Sequence, residues 1–179
     1  KIIGLVYLVS LFGALGVLLM SKAYRHSEIS HLYPLTNLRP FFVVILAYIF
    51  LSERLGVVNL IGILILLVSA YILEADHHFS DLWYPIKHLF KSKYNLFFIG
   101  SIFVFSITSL LDKHLISTYF DPFTLLFLVW ILIAIMLNLV HGIMYGFGEI
   151  KKCFVETSYL PVWVAIFSIL GNLSYLFAL

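Results

Sequence analysis

The chain has 179 residues, of which 63% are hydrophobic and 11% are charged. A soluble domain has about 25% charged residues, so a water-soluble globular protein is excluded and much of the apolar surface must face lipid. The formal net charge of +2 comes from basic residues spread over short loops, which excludes a nucleic-acid-binding surface. The single cysteine, Cys153, excludes an internal disulfide. We therefore predict a multi-pass, all-α protein of the cell membrane in contact with the lipid bilayer.

Six segments are apolar over about the 20 residues that a membrane-spanning helix requires. They are residues 2–21, 29–51, 57–73, 96–116, 122–145 and 160–179. Between the third and the fourth, residues 76–94 place apolar side chains at helical spacing opposite charged ones, which is typical of an amphipathic helix on the membrane surface. Because the sequence lacks an initiator methionine and ends within an apolar run, we expect a fragment of a longer protein.

The first segment carries small residues, Ser10, Gly13 and Gly16, at intervals of three. Such a row lets membrane helices approach closely, so we interpret it as a packing face rather than a ligand site. Ser168 and Gly171 repeat the beginning of this row in the sixth segment. Five spans separate the start of one copy from the start of the next, and because this number is odd, the second copy would be inverted in the membrane. Inverted repeats are typical of secondary transporters, which bind substrate near the midplane.

The second segment is interrupted by prolines and polar side chains. The polar residues are Ser30, Tyr33, Thr36, Asn37 and Arg39, beside Pro34 and Pro40. On an ideal α-helix Ser30, Tyr33 and Asn37 share one face, whereas Arg39 lies nearer Thr36. Polar groups at this depth are costly and usually face a cavity or the protein interior. Arg39 therefore either faces a central cavity, or pairs with carbonyls freed by Pro40 or with a carboxylate on another helix.

Three polar residues in other spans form a candidate polar pathway. They are Asp112, Lys113 and Asn172. For Asp112 and Lys113 the alternative is a helix end at the membrane surface, where charged residues are common.

The end of the second segment resembles a known family. Residues 37–55 include Pro40 and the turn Glu53-Arg54, and Gly62 lies in the helix that follows. This order is similar to the end of an EamA-type repeat, which defines the drug/metabolite transporter superfamily. Residues 109–125, especially Asp112-Lys113 and Phe120-Asp121-Pro122, resemble the first two helices of the next repeat.

The resemblance implies ten helices in two five-helix halves of opposite orientation. This chain would then hold the last three helices of the first half (residues 1–75), the interfacial linker (76–94) and the first three helices of the second half (95–179). Seven basic residues, including Lys22, Arg25 and Lys93, fall on one side of this topology and three on the other. The excess predicts a cytoplasmic side, whereas the usual family arrangement implies the reverse, so both orientations stay open.

These features predict a secondary transporter that moves a small anionic or zwitterionic metabolite, such as an amino acid, by alternating access. Arg39 and Asn37 would contact the substrate, with Tyr33 as an aromatic wall and Ser30 and Thr36 nearby. A guanidinium binds a carboxylate or phosphate through two parallel hydrogen bonds. We expect no enzymatic activity, no catalytic residue, no cofactor and no metal, and we leave a homodimer as an option.

Two other classes of protein stay as alternatives. A non-transporting scaffold or sensor needs only the packing faces. An intramembrane enzyme would need histidine-bound metal, and His26 with His31, and His77 with His78, resemble fragments of the histidine boxes of membrane desaturases.

Overall fold

A computed structural model describes residues 2–51, 56–74, 92–146, 148 and 160–177. Every regular element in this part of the chain is a helix. The elements are α1 (Ile2–Tyr24), α2 (Ile29–Leu32), a 3-10 helix (Tyr33–Asn37), α3 (Leu38–Leu51), α4 (Val57–Glu74), α5 (Lys93–Thr118), α6 (Pro122–Tyr145) and α7 (Leu160–Phe177). Helices suit such apolar sequences because they satisfy their backbone hydrogen bonds internally, without water. The predicted all-α class is confirmed.

Helices occupy all six predicted spans. Four of them are long and apolar enough to cross a membrane: α1, the 3-10 helix with α3, α5 and α6. At 23 residues, α1 is roughly 35 Å long at about 1.5 Å per residue, against about 30 Å of hydrocarbon. In α4 and α7 the described apolar stretches are shorter, at Val57–Ser69 and Trp163–Asn172. The predicted polytopic helical bundle is therefore confirmed, with spans of unequal length.

Large apolar side chains lie on the outside of the helices. In α4, for example, Val57, Val58, Ile61, Leu64 and Ile65 are each more than half exposed. Continuous apolar surface of this kind marks contact with a membrane or with another protein. In helices that cross the bilayer, these faces contact lipid.

The second predicted span is broken rather than continuous. A single turn, α2, leads into the 3-10 helix, and α3 follows. Pro34 lies near the start of the 3-10 helix, where its missing N–H removes no required donor. Because side chains three apart eclipse one another in a 3-10 helix, Tyr33 lines up with Thr36 and Pro34 with Asn37. The shared face expected for Ser30, Tyr33 and Asn37 on an ideal α-helix therefore does not hold.

The helices pack into two compact units. The terminal unit comprises Lys1–Ala14 and Leu111–Leu179, and the central unit comprises Leu15–Leu110. Both α1 and α5 are long enough to contribute to each unit. This division follows packing rather than sequence repetition, so the predicted division into residues 1–75, 76–94 and 95–179 stays a prediction.

In the terminal unit, the first part of α1 packs with the end of α5 and with α6. The core consists of buried aliphatic residues: Val6, Val9, Ala14, Leu115, Leu125, Val129 and Ile133. Gly13 of α1 lies against α6, since a Cβ at this position would come within 2.6 Å of the Ile133 Cδ1 atom. The interpretation of Gly13 as part of a packing face is confirmed.

Asp121 caps the amino-terminal end of α6. Its carboxylate accepts hydrogen bonds from the Thr124 backbone N–H at 3.0 Å and from the Thr124 hydroxyl at 2.6 Å. Pro122 follows at the first helical position, where its fixed φ favours the helix. The bond from the Thr124 hydroxyl, followed by the backbone bond, holds the pKa of Asp121 below the ordinary value of an aspartate.

Replacing Asp121 by alanine is expected to lower the melting temperature of the protein at neutral pH, because α6 loses its cap. The pKa of Asp121 is lower in the folded protein than in the unfolded chain. The stabilisation by the ionised cap is therefore fully present above the pKa of the unfolded carboxyl, and it is lost as the pH falls through the pKa of Asp121 in the folded protein. Thermal unfolding followed by circular dichroism at neutral and acidic pH checks this. Melting temperatures that differ equally at both pH values would contradict the ionic cap.

In the central unit, the second part of α1 packs against α5 and the broken second span covers both. The core residues are Ala23, Leu32, Leu35, Phe98 and Ile102. Gly16 of α1 faces Phe105 of α5, since a Cβ at this glycine would lie 2.8 Å from the Phe105 Cε1 atom. The close approach of α1 and α5 therefore requires a glycine here, which confirms the packing-face interpretation of Gly16.

Some predicted features lie outside the described residues. These are the turn Glu53-Arg54, His77-His78, and residues 76–91 of the interfacial linker. They stay predictions.

Candidate functional site

Arg39 is the second residue of α3, directly after the 3-10 helix, and its side chain is half buried in the central unit. Its Nη2 donates a hydrogen bond of 2.9 Å to the Ser109 hydroxyl of α5. Because a hydroxyl is neutral, this contact orients the guanidinium without itself neutralising it, and Arg39 has a further interaction of its own. A hydroxyl partner is not among those expected from the sequence, which were freed carbonyls and a carboxylate.

The Ser109 hydroxyl is held from two sides. It donates to the Phe105 carbonyl at 2.8 Å, one turn earlier in α5, and it accepts from Arg39. Ser109 is only 2% exposed, and hydrogen bonds shielded from water in this way are stronger and polarise one another. Arg39 is therefore attached, through one hydroxyl, to the backbone of α5.

Ser109 belongs to a row of buried hydroxyl side chains along α5. The row comprises Ser101, Ser106, Thr108 and Ser109, and each hydroxyl donates to a carbonyl three or four residues earlier. This local bonding allows hydroxyl groups inside a membrane helix. The Ser106 hydroxyl also lies 3.5 Å from the Arg39 carbonyl, so α5 approaches both the backbone and the side chain of the arginine.

The other predicted residues of the second span differ in burial. Thr36 and Asn37 are half buried, whereas Ser30 and Tyr33 are exposed in the central unit, Tyr33 by 67%. The Thr36 hydroxyl donates to the Tyr33 carbonyl at 2.6 Å. Within the residues that the structure describes, the Asn37 carboxamide makes no hydrogen bond.

The candidate polar pathway belongs to the terminal unit. Asp112 and Lys113 are half buried towards the end of α5, and each has an interaction of its own. The Asn172 carboxamide donates to the Ser168 carbonyl at 2.8 Å, so this donor serves the backbone of α7. Their role in a pathway stays a prediction.

Two of the described histidines contact aromatic rings, and one of them, His26, belongs to the metal-enzyme alternative. His26 stacks on Tyr94 with ring centroids 4.4 Å apart, and His141 contacts Tyr145 at 5.0 Å. In the part of the chain that the structure describes, no three histidine, cysteine, aspartate or glutamate side chains are grouped to hold a metal ion. The described geometry therefore gives the histidine-metal hypothesis no support.

An open groove of about 610 Å³ lies between α3 and α4. Its described lining residues are Val44, Val58, Asn59, Gly62, Ile63, Ile65 and Leu66. The lining is apolar apart from Asn59 and contains none of the predicted site residues. Such a groove fits an apolar neighbour in the membrane rather than a polar metabolite.

Sequence reasoning missed Ser106 and Ser109 as contacts of Arg39. The available signal was the row of hydroxyl residues in the fourth span. A row of this kind predicts a helix contact, but it does not reveal which helix, or which charged residue, lies opposite.

Comparison with known proteins bears on the first part of the chain. The model of the EamA-like transporter family matches residues 1–74. This segment is EamA-like. The match includes α1, the broken second span with Arg39, and α4, and it confirms the resemblance predicted from the residues there. Among the curated proteins and the solved structures, none matches the chain.

The EamA-like segment bears on the class of the protein. Members of this family are transporters, and together with the apolar helices the match supports an integral, multi-pass membrane protein. The match ends at residue 74, the last residue of α4. Ser109 and the polar residues of α5 to α7 therefore lie outside the EamA-like segment.

Proposed function

We propose that this EamA-like protein is a secondary transporter of a small anionic or zwitterionic metabolite, such as an amino acid, and that it works by alternating access. The observation that carries the proposal is the half-buried Arg39 at a helix break, hydrogen-bonded to Ser109. Ionisable residues within membrane spans mark substrate pathways. Broken helices are where transporters commonly bind their substrates.

The chemistry of Arg39 favours a carboxylate or a phosphate as the recognised group. A guanidinium is planar and can donate two parallel hydrogen bonds to such an anion. Ser109 accepts at 2.9 Å and would fix the plane of this fork before the substrate arrives. The positive charge disfavours a cationic substrate through like-charge repulsion.

Neighbouring groups of the second span would complete the site. The Asn37 carboxamide can donate to a substrate oxygen or accept from a substrate ammonium group. In the proposed site Thr36, Ser30 and Tyr33 line the remaining side. The exposure of Ser30 and Tyr33 in the central unit is consistent with side chains that face a substrate cavity.

The proposed architecture has a second, inverted repeat beginning near residue 95, after an interfacial linker at 76–94. In this architecture α5, α6 and α7 are its first three helices, and Asp112, Lys113 and Asn172 lie along the substrate pathway. We place the transporter in the cell membrane.

Uptake into proteoliposomes tests the proposed function. Labelled zwitterionic amino acids, a dicarboxylate, a sugar phosphate and a quaternary ammonium cation are offered separately to vesicles that contain the full-length protein. We expect saturable uptake of at least one carboxylate or phosphate compound, because each can pair with Arg39. Protein-free liposomes are the control. Uptake of the cation alone, or no uptake above the control, would contradict the proposal.

A further inference from the structure

The end of α1 and the start of α5 meet in the central unit, and neither helix end contains Arg39. α1 ends at Tyr24 and α5 begins at Lys93. The Tyr24 ring packs against Phe98 with centroids 5.5 Å apart, and the His26 ring stacks on Tyr94 at 4.4 Å with an angle of 3° between the planes. Two ring contacts therefore hold these helix ends side by side.

Two lysine ammonium groups lie over aromatic rings at this junction. The Lys22 Nζ atom is 4.6 Å from the centroid of Phe97, and the Lys93 Nζ atom is 5.1 Å from the centroid of Tyr94. Cation–π contacts of this kind place an ammonium group over one ring face. Both lysines are exposed, so they can also meet a ligand from the solvent side.

Arg25 adds a third permanent positive charge and is also exposed. We term Lys22, Arg25, His26, Lys93, Tyr94 and Phe97 the basic–aromatic patch. Among the described residues that form it, none is a carboxylate. The acidic residue nearest to it in sequence is Glu28, which has an interaction of its own. The patch therefore carries three positive charges from its lysines and arginine, and neutral rings between them.

The position of the patch along α1 puts it at the membrane boundary. α1 is a candidate span of 23 residues, and Lys22 and Tyr24 belong to its last turn. Tyrosine rings and basic side chains at span ends sit at the level of lipid headgroups, and lysine stems lie along apolar surface while their charges stay in the polar layer. The three charges would then lie at the depth of the phosphate groups.

We propose that the basic–aromatic patch binds the phosphate headgroup of an anionic phospholipid such as phosphatidylglycerol. Charge provides the selectivity, because clustered basic residues beside a span are attracted to anionic rather than zwitterionic lipid. Arg25 can hold a phosphate through two parallel hydrogen bonds, while the lysines over Phe97 and Tyr94 supply the flanking charges. This lipid site does not depend on the proposed transport function.

Native mass spectrometry of the detergent-solubilised full-length protein tests the lipid site. Phosphatidylglycerol and phosphatidylcholine are titrated separately, and the affinity of the first bound lipid is measured for each. We expect tighter binding of phosphatidylglycerol, with a loss of about fivefold for each basic side chain removed. A fluorescent-lipid displacement assay at increasing salt should show the preference weakening, because salt screens exposed charges. Equal affinity for the two lipids would overturn the proposal.

Variants assign the binding to this patch. The triple variant Lys22→Gln, Arg25→Gln, Lys93→Gln should lose the preference for phosphatidylglycerol. The double variant Lys22→Arg, Lys93→Arg keeps both charges and should retain it. Lys113→Gln removes one positive charge outside the patch and should leave lipid affinity unchanged. A triple variant that folds and still prefers phosphatidylglycerol, or an equal loss in Lys113→Gln, would overturn the assignment. If the triple variant does not fold, the single variant Arg25→Gln decides: the expected loss is about fivefold, and an unchanged affinity would overturn the assignment.

Discussion

Replacing Arg39 by alanine is expected to weaken transport of an anionic substrate about 10- to 100-fold in apparent affinity. The reason is the net loss of one hydrogen bond to a charged group, which contributes about 1.5–3 kcal/mol, where about 1.4 kcal/mol corresponds to a factor of ten. The fold should persist, because the Ser109 hydroxyl keeps its bond to the Phe105 carbonyl and is not left buried without a partner.

The measurement is the dependence of proteoliposome uptake on substrate concentration for wild type, Arg39→Ala and Arg39→Lys. Lysine keeps the charge but has no planar fork. We therefore expect Arg39→Lys to fall between the other two in apparent affinity. Size-exclusion chromatography confirms that each variant is folded before reconstitution.

A matched pair of serine variants tests how the arginine is held. Ser109→Ala removes the acceptor at 2.9 Å from the Arg39 Nη2 and should raise the apparent KM with a smaller effect on the maximal rate. Ser101→Ala is the control, because this serine is buried in the same helix and donates to the Phe98 carbonyl.

Unchanged uptake in Arg39→Ala would show that the arginine does not contact the substrate. Normal uptake in Ser109→Ala alone would remove only the positioning role.

Gly16→Ala is expected to destabilise the folded protein by about 1–3 kcal/mol, the usual range for overpacking. A Cβ at this position would lie 2.8, 3.0 and 3.1 Å from three atoms of the Phe105 ring. The two helices must therefore separate or the ring must leave its position.

Gly4→Ala is the matched control for this prediction. Gly4 lies in the same helix, and a Cβ there would have no atom of a neighbour within 4 Å. Glycine is less favourable than alanine in a helix by about 1 kcal/mol, so Gly4→Ala should be neutral or slightly stabilising. Thermal unfolding in detergent compares the two variants with wild type. A melting temperature of Gly16→Ala at or above that of Gly4→Ala would show that the contact with Phe105 is not tight.

The helical spans were predictable because each depends on a local property, the length of an apolar run. The row containing Gly13 and Gly16 was predictable as a packing face for the same reason, since small residues at regular spacing need no knowledge of the partner. The change to 3-10 geometry at Tyr33–Asn37 was not predictable from an ideal wheel. A proline predicts a break in the α-helix, but the conformation that replaces the helix there depends on the residues that pack against it.

The candidate site was predictable only as far as Arg39 itself. A charged residue in the middle of an apolar segment stands out in the sequence, whereas its partner does not. Ser109 is 70 residues away along the chain, and serine is common in membrane helices as a packing residue. Identifying that pair requires the tertiary arrangement of α3 and α5, which neither segment encodes alone.

Phe105 takes part in the contact that Gly16→Ala tests and in the contact that Ser109→Ala tests. Its ring fills the space opposite Gly16 of α1, and its carbonyl accepts from the hydroxyl that receives the Arg39 hydrogen bond. A sliding of α1 along α5 that shifts the Phe105 backbone together with its ring would also disturb the Ser109 hydroxyl that binds the guanidinium. The proposed transporter must bind its substrate on one side of the membrane and release it on the other. Such a coupling would allow a movement of the helices to weaken substrate binding at Arg39.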